Sequence, residues 1–482
     1  MSSLATSPRI EPAGLEVDPG SFRDPGGWVL EKDGRILRAI TDRAAADFRW
    51  IRDQGLLETF ERDGYLVPTR EIPTADLGLQ AGRVQHVLEH ERVRFVSYPY
   101  EWCFAALQAA ATSHLDLHLA LLEHDATLSD ASAYNIQFDG TRPVFIDILS
   151  LRPYHEGELW AGHRQFCEQF LNPLLLQSLC GVPFNAWYRG AMEGIPASQL
   201  SPLLGRRQKV SWRTFAHVVA PAKLQRAAEK GFVNPERNAS SRTLPKRALI
   251  GMLTSLRHWI AQLEPRSQGF GRSGEGWGTY SSTNTYRSEE ELAKRRFVGE
   301  FIAACRPKLL LDLGCNIGDY ASVALQSGAG AVIGLDSDPA TVDRAFRRAR
   351  TENLNLLPLL MDAADPSPAR GWREKERRSF SQRAVFDASI ALAFEHHLAI
   401  ARNIPLDQLV AWVTGLAPQG VIEFVEKDDP TIQRMLALRD DIFNEYSCGT
   451  FKSLLQRQAR IVREETITST GRTLFWYEHD RG

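Results

Sequence analysis

The stretch LLLDLGCNIGDYASVAL, residues 309–325, constrains this chain more than any other segment. Leu309, Leu310, Leu311 and Leu313, with Ile317 past the turn, have the apolar density of a buried parallel strand. The strand runs through a glycine-bearing turn, Gly314 to Gly318, and straight into a helix. Glycines there let the backbone approach a ligand closely, and the helix start offers unpaired N–H groups. Dinucleotide sites use the same device. Two residues set this turn apart. Asp312 sits inside the strand end, where it can meet an amino group of the ligand, and Asn316 takes the place of the middle glycine. A ligand held this way need not carry a pyrophosphate.

The next strands strengthen the reading. An apolar run from Ala331 ends on Asp336, eighteen residues after Gly318, where a carboxylate at a strand tip can accept both hydroxyls of a ribose. Residues 356–366 place Asp362 at a third strand end, and residues 385–397 supply a fourth strand and its loop. Residues 420–427, 459–467 and 473–477 complete a fifth, sixth and seventh. The D-x-G-x-N-x-G turn and these strands resemble class I S-adenosylmethionine-dependent methyltransferases over roughly 180 residues. The resemblance implies a Rossmann-like seven-stranded α/β sheet, S-adenosyl-L-methionine as cofactor, and cofactor contacts from Asp312, Gly314, Cys315, Asn316, Gly318, Asp336, Ser337 and Asp362.

In that family the loop after the fourth strand handles the acceptor. Here it reads Ala393-Phe394-Glu395-His396-His397, unlike the Asp/Asn-Pro-Pro-Tyr/Phe tetrad of enzymes that methylate nucleobase or glutamine amino groups. A histidine pair titrating near neutrality suits removal of a proton from a hydroxyl or an acidic carbon. His396, His397 and, at the fifth strand end, Glu426 are therefore the expected catalytic residues. The expected acceptor is a small molecule or a carrier- or peptide-bound intermediate. Trp277, Tyr280, Tyr286 and Lys294 precede the first strand, where family members carry an aromatic lid.

The N-terminal half reads as a separate α+β unit. Asp33-Gly34 and Asp139-Gly140 each sit between strand-like runs, residues 46–60 have helical spacing, and residues 104–124 form a long helix. Asp130, Asn135 and Asp147 have the spacing of the catalytic loop and metal-binding acid of protein kinases and aminoglycoside-type phosphotransferases, which this half faintly resembles. No glycine-rich loop or strand lysine precedes them. An inactive kinase-like scaffold that binds or presents the acceptor is the expectation. The two-part layout is also reminiscent of bacterial proteins of rhizobial nodulation and natural-product tailoring.

Composition bounds the rest. Apolar residues at 43%, charged residues at 24% and a formal charge of −2 fit an ordinary globular chain without the basic excess of a nucleic-acid binder. Residues 205–247 are locally basic, but their charges are spaced singly, as on a solvated helix face. Six cysteines without a CxxC or Cys/His cluster predict neither a disulfide framework nor a metal site. With no basic-apolar leader and no run of ~20 apolar residues, a cytoplasmic chain off the membrane is expected. The expected divisions are a flexible arm at 1–26, the N-terminal domain at 27–233, a linker at 234–247, a helical lid or connector at 248–307 and the methyltransferase domain at 308–482. The alternatives are a bifunctional methyltransferase/phosphotransferase and a cofactor-binding regulator that does not turn over. The oligomeric state is open.

Overall fold

The computed structural model describes residues 16–74, 84–229, 243–266, 288–437 and 439–479. Five strands open the chain: β1 (Glu16–Val17), β2 (Gly27–Lys32), β3 (Arg35–Thr41), β4 (Thr69–Ile72) and β5 (Val84–His90). They form an antiparallel sheet in the order β1-β2-β3-β5-β4. The β2–β3 turn holds both Asp33 (φ 49°) and Gly34 (φ 76°) in the left-handed region, the pair of angles that matches the twist of a two-residue hairpin. The single helix expected at 46–60 is two, α1 (Asp42–Asp53) and α2 (Leu56–Arg62), because Gly55 between them is left-handed at φ 67°.

α3 (Phe104–Glu123) is buried on most of its circumference, so small alanines dominate its first half. Four short strands follow: β6 (Ala126–Leu128), β7 (Ile136–Asp139), β8 (Arg142–Phe145) and β9 (Leu151–Pro153). They pair as β6–β9 and β7–β8, the latter around the expected Asp139-Gly140 turn. A run of short helical segments from His163 to Glu229 includes three π-helical stretches among the described residues. It also brings His163, Cys167 and His217 together, a Cys/His cluster that sequence reading excluded.

α4 (Lys246–Ala261) spans the expected division at residues 247 and 248. Its apolar stripe of Leu249, Leu253, Leu256 and Ile260 is buried. Gln108 of α3 donates to the carbonyls of Ile260 and Leu263, and Arg257 pairs with Asp116. This helix is part of the N-terminal half. α5 (Ser288–Cys305) instead buries Phe297, Val298, Phe301 and Ile302 in a cluster with Leu310, Ile390 and Val421 of the second sheet.

That sheet contains β10 (Leu310–Leu313), β11 (Val332–Asp336), β12 (Leu356–Leu360), β13 (Ala388–Ala391), β14 (Gln419–Phe424), β15 (Arg460–Thr466) and β16 (Thr473–Glu478). Its order is β12-β11-β10-β13-β14-β16-β15; the first five strands run parallel, and β16 is antiparallel to both neighbours. The order turns back between β10 and β13, and open α/β sheets bind ligands at the C-terminal strand ends beside such a reversal. α6 (Asp319–Gln326) and α7 (Pro339–Thr351) follow β10 and β11. The two halves share one apolar core: Phe138 meets Phe346 edge-on at 5.8 Å and Phe95 stacks on Phe386 at 5.7 Å.

Candidate functional site

The turn after β10 is built as a cradle. Gly314 (φ 73°), Asn316 (φ 49°) and Gly318 (φ 84°) all lie in the left-handed region, which side chains other than those of Gly and Asn rarely occupy. A Cβ at Gly318 would also fall 2.7 Å from Leu356 Cδ2, so a side chain there is disfavoured by the backbone angle and crowded as well. Asp336, at the tip of β11, spans the mouth of the turn. Its Oδ2 accepts the N–H of Asn316 at 3.1 Å and its Oδ1 that of Asp338 at 3.0 Å. Burial pushes its carboxyl up, against backbone N–H groups that pull it down. Ser337 beside it is exposed.

Asp312 is the unusual member. It is 2% exposed, and its Oδ2 has no hydrogen-bond partner among the described residues. Burial, then the charge of Asp336, raises its carboxyl to about 7. A buried acceptor without a partner carries a desolvation penalty of roughly 1–3 kcal/mol, larger for a charged group, which a cationic donor would offset. Cys315 places its Sγ over Gly334, where a Cβ would come within 2.8 Å of it, and donates to the Asn316 carbonyl at 3.5 Å. Asp362 lies beyond β12, accepting the N–H of Ala364 and pairing with Arg402 at 2.6 Å.

The loop after β13 departs from expectation. His396 is wholly buried, with neither ring nitrogen hydrogen-bonded among the described residues. Its Nδ1 lies 3.3 Å from Glu395 Oε2 with no hydrogen bond between them. His397, half-buried, has its ring centroid 4.3 Å from that of His396. Burial lowers both imidazoles to about 3, so they stand neutral and weakly basic rather than poised near neutrality. Glu426 is half-buried, with its Cγ packed where a Cβ on Gly471 would sit.

The carboxylate that organises this end of the sheet is Glu423, three residues earlier. It is wholly buried; its Oε2 accepts Lys294 Nζ at 2.6 Å and the N–H of Ala393 at 2.7 Å. Ala393 is left-handed at φ 51°, a strained conformation that the Glu423 bond pins. Lys294 also lies over the Tyr320 ring at 5.0 Å. Arg472 grips Asp429 at 2.7 and 3.0 Å, with one Nη 3.7 Å from Glu423. Of the expected lid residues, Lys294 thus belongs to a buried ion network, and Trp277, Tyr280 and Tyr286 lie outside the described residues. Glu423, Arg472 and Asp429 escaped sequence reading. The available signal was GVIEF, a glutamate inside an apolar strand, which needs a buried cation.

In the N-terminal half, Asp130, Asn135 and Asp147 do converge. Asn135 Nδ2 donates to Asp130 at 2.9 Å and to Asp147 at 3.3 Å. The cation that the sequence did not reveal is Arg38 of β3, whose guanidinium pairs with Asp147 at 2.8 Å. Burial and the Asp147 charge push Asp130 up.

No known protein-family model matches the chain. Over about two-fifths of its length it is similar to crystal structures of other proteins. They include the N-methyltransferase NodS from Bradyrhizobium japonicum WM9, at 14% identity over 40% of this chain and 98% of that one, with a TM-score of 0.30. Magnesium protoporphyrin IX methyltransferase from Synechocystis PCC 6803, solved with bound SAH, matches at 15% identity over 42% and 93%, also with a TM-score of 0.30. Likeness at that level transfers no chemistry. The similarity that spans both halves is to nodulation protein NoeA of Rhizobium meliloti (strain 1021), 45% identical over 459 residues and 95% of each chain. Identity of that extent over nearly the whole chain shows the family: the chain belongs to the NoeA family.

Proposed function

We propose that the C-terminal half binds S-adenosylmethionine and transfers its methyl group to a small-molecule or carrier- or peptide-bound acceptor. The observation that carries this reading is Asp312: a sealed carboxylate with an oxygen unpartnered among the described residues, beside a backbone cradle and the strand-tip acid Asp336. The cofactor's own ammonium would complete Asp312. Gly314, Asn316 and Gly318 would let its body lie against the backbone, and Asp336 retains carboxylate lone pairs for ribose hydroxyls. When bound, the cofactor supplies an already activated methyl group on a sulfonium. What remains for the protein is to orient the acceptor and exclude water. His397 keeps some exposed surface and offers a neutral imidazole as proton acceptor, whereas His396 is sealed and holds the loop. A base this weak fits an acceptor that yields its proton readily.

For the N-terminal half, Arg38 on Asp147 favours a scaffold role over phosphotransfer, because the guanidinium takes the oxygen that a metal ion would need. Micromolar, magnesium-dependent ATP binding lost in Asp147→Asn is the result that favours the bifunctional alternative.

The test is binding and turnover in the full chain. Calorimetry with S-adenosylmethionine should show binding that Asp336→Ala weakens roughly ten- to hundredfold, the size expected from losing charge-assisted hydrogen bonds of ~1.5–3 kcal/mol. Release of S-adenosylhomocysteine in the presence of cell extract separates an enzyme from a regulator. Equal affinity in wild type and variant removes the site assignment.

A further inference from the structure

We propose that His163, Cys167 and His217 form a binding site for one borderline-soft divalent cation, with Zn2+ the best match to two imidazoles and a thiolate. His163 Nε2 lies 3.1 Å from His217 Nδ1 and 3.7 Å from Cys167 Sγ. All three ligand atoms fall within 4.8 Å of one another. Those separations are close to the edges of a metal-centred tetrahedron. With Zn–N of ~2.0–2.1 Å and Zn–S of ~2.3 Å, neighbouring nitrogens stand about 3.3 Å apart and nitrogen and sulfur about 3.6 Å apart. His163 Nε2 is common to both short distances. Without a metal, both contacts would have to be hydrogen bonds sharing that one nitrogen.

The scaffold is suited to holding a metal. His163 and Cys167 are one helical turn apart, so both side chains leave the same face. His217 comes from a segment about fifty residues on, in the π-helical stretch Phe215–Val219, and Cys167 begins another such stretch. π-Helical turns are rare and concentrate at functional sites. Trp160 packs beside His163 at 5.5 Å and Trp259 beside His217 at 6.2 Å, which makes an aromatic shell of low polarity around the trio. Cys167 is buried while both histidines keep partial exposure, which leaves a way in for an ion. Binding converts the Cys167 thiol to a thiolate, and the proton leaves to solvent. Three protein donors leave the fourth corner to water or a small ligand. Because Trp259 lies on α4, the cation would clamp the 163–171 segment, the 215–219 segment and the flank of α4 together.

The full chain, stripped with chelator and dialysed, is titrated with Co2+ as the spectroscopic probe and then with Zn2+. The expected result is one equivalent of Co2+ with tetrahedral visible bands and a near-ultraviolet thiolate charge-transfer band, displaced by Zn2+, and a raised Tm with either metal. Cys167→Ala should abolish the charge-transfer band, and His217→Gln should weaken binding by about tenfold or more. His217→Gln keeps a polar side chain of similar size, so it serves if Cys167→Ala fails to fold. Absence of the thiolate band in wild type, its persistence in folded Cys167→Ala, or an unchanged Co2+ affinity in folded His217→Gln overturns the site.

Discussion

A carboxylate sealed from water with one oxygen unmatched does not stabilise a fold, and among the described residues Asp312 is held in that state at the end of β10. Its folded carboxyl titrates at about 7 against an ordinary value of 3.8. The folded chain therefore binds this proton more tightly than the unfolded chain. The stability this contributes is fully present below about pH 4 and is lost as the pH rises through 7. Asp312→Asn keeps the shape and removes the titration. Without cofactor, the variant should equal or exceed wild type in Tm at pH 8, and the difference should shrink or reverse toward pH 4. With cofactor the order should invert: loss of the charge opposite the ammonium should weaken binding by roughly tenfold or more. A variant that loses stability at pH 8 and keeps full affinity would assign Asp312 to the fold alone. Its place inside the end of β10 was legible in the sequence, because the apolar run around it marks a buried strand. The state of His396 was not, since nothing in EHHL says which imidazole faces inward and loses its water.

At the scale of elements, Glu423 on β14 joins α5, through Lys294, to the loop after β13, through the Ala393 N–H. Breaking a buried pair by removing one partner leaves the other charge uncompensated, at a cost of about 3–5 kcal/mol. Glu423→Ala should therefore lower the unfolding free energy by that order, measured by urea denaturation. Adding Lys294→Met should recover a substantial part, since the stranded ammonium is then gone. Additive losses in the double variant would show that the pair is not the coupling element. The expected site residue was Glu426, three residues after Glu423. β14 ends at Phe424, so a side chain at 426 has already left the sheet, while 423 still points from a strand that is buried on both faces. Parallel strands such as β10, β11 and β13 were readable because they are continuous apolar runs bounded by turn residues. The break at Gly55 was missed because apolar spacing carries on across it. Arg38 was missed because a cation in a two-stranded run looks like a solvent-facing residue until Asp147 is brought to it.

For the whole molecule, the halves were legible one at a time, but the contact between them was not. It joins residues hundreds of positions apart, and no local pattern records it. The expected division before residue 248 falls beside such a contact. α4 starts there yet buries its stripe against α3, so a fragment beginning at Ala248 carries Leu249, Leu253, Leu256 and Ile260 without their cover. Such a fragment is expected to aggregate. The stronger test keeps the chain entire and removes one residue of the seam. Arg383 comes from the C-terminal half and lies between the rings of Phe95, at 5.1 Å, and Tyr98, at 4.3 Å. It donates to the Val96 carbonyl and pairs with Glu101, and both charged side chains are almost wholly buried. Glu101 also accepts the Tyr98 N–H at 2.8 Å, so the loss of Arg383 leaves a buried anion at a turn that carries the interface rings. Arg383→Ala should cost about 3–5 kcal/mol. Arg383→Lys should rescue little of it, because an ammonium has neither the planar fork for Glu101 nor the flat face for Phe95 and Tyr98. Calorimetry should show one unfolding transition in wild type and a lower, split transition in Arg383→Ala as the halves uncouple. An unchanged single transition in the variant would mean that the halves are held by their shared apolar core, Phe138 on Phe346 and Phe95 on Phe386, with the ion pair a bystander.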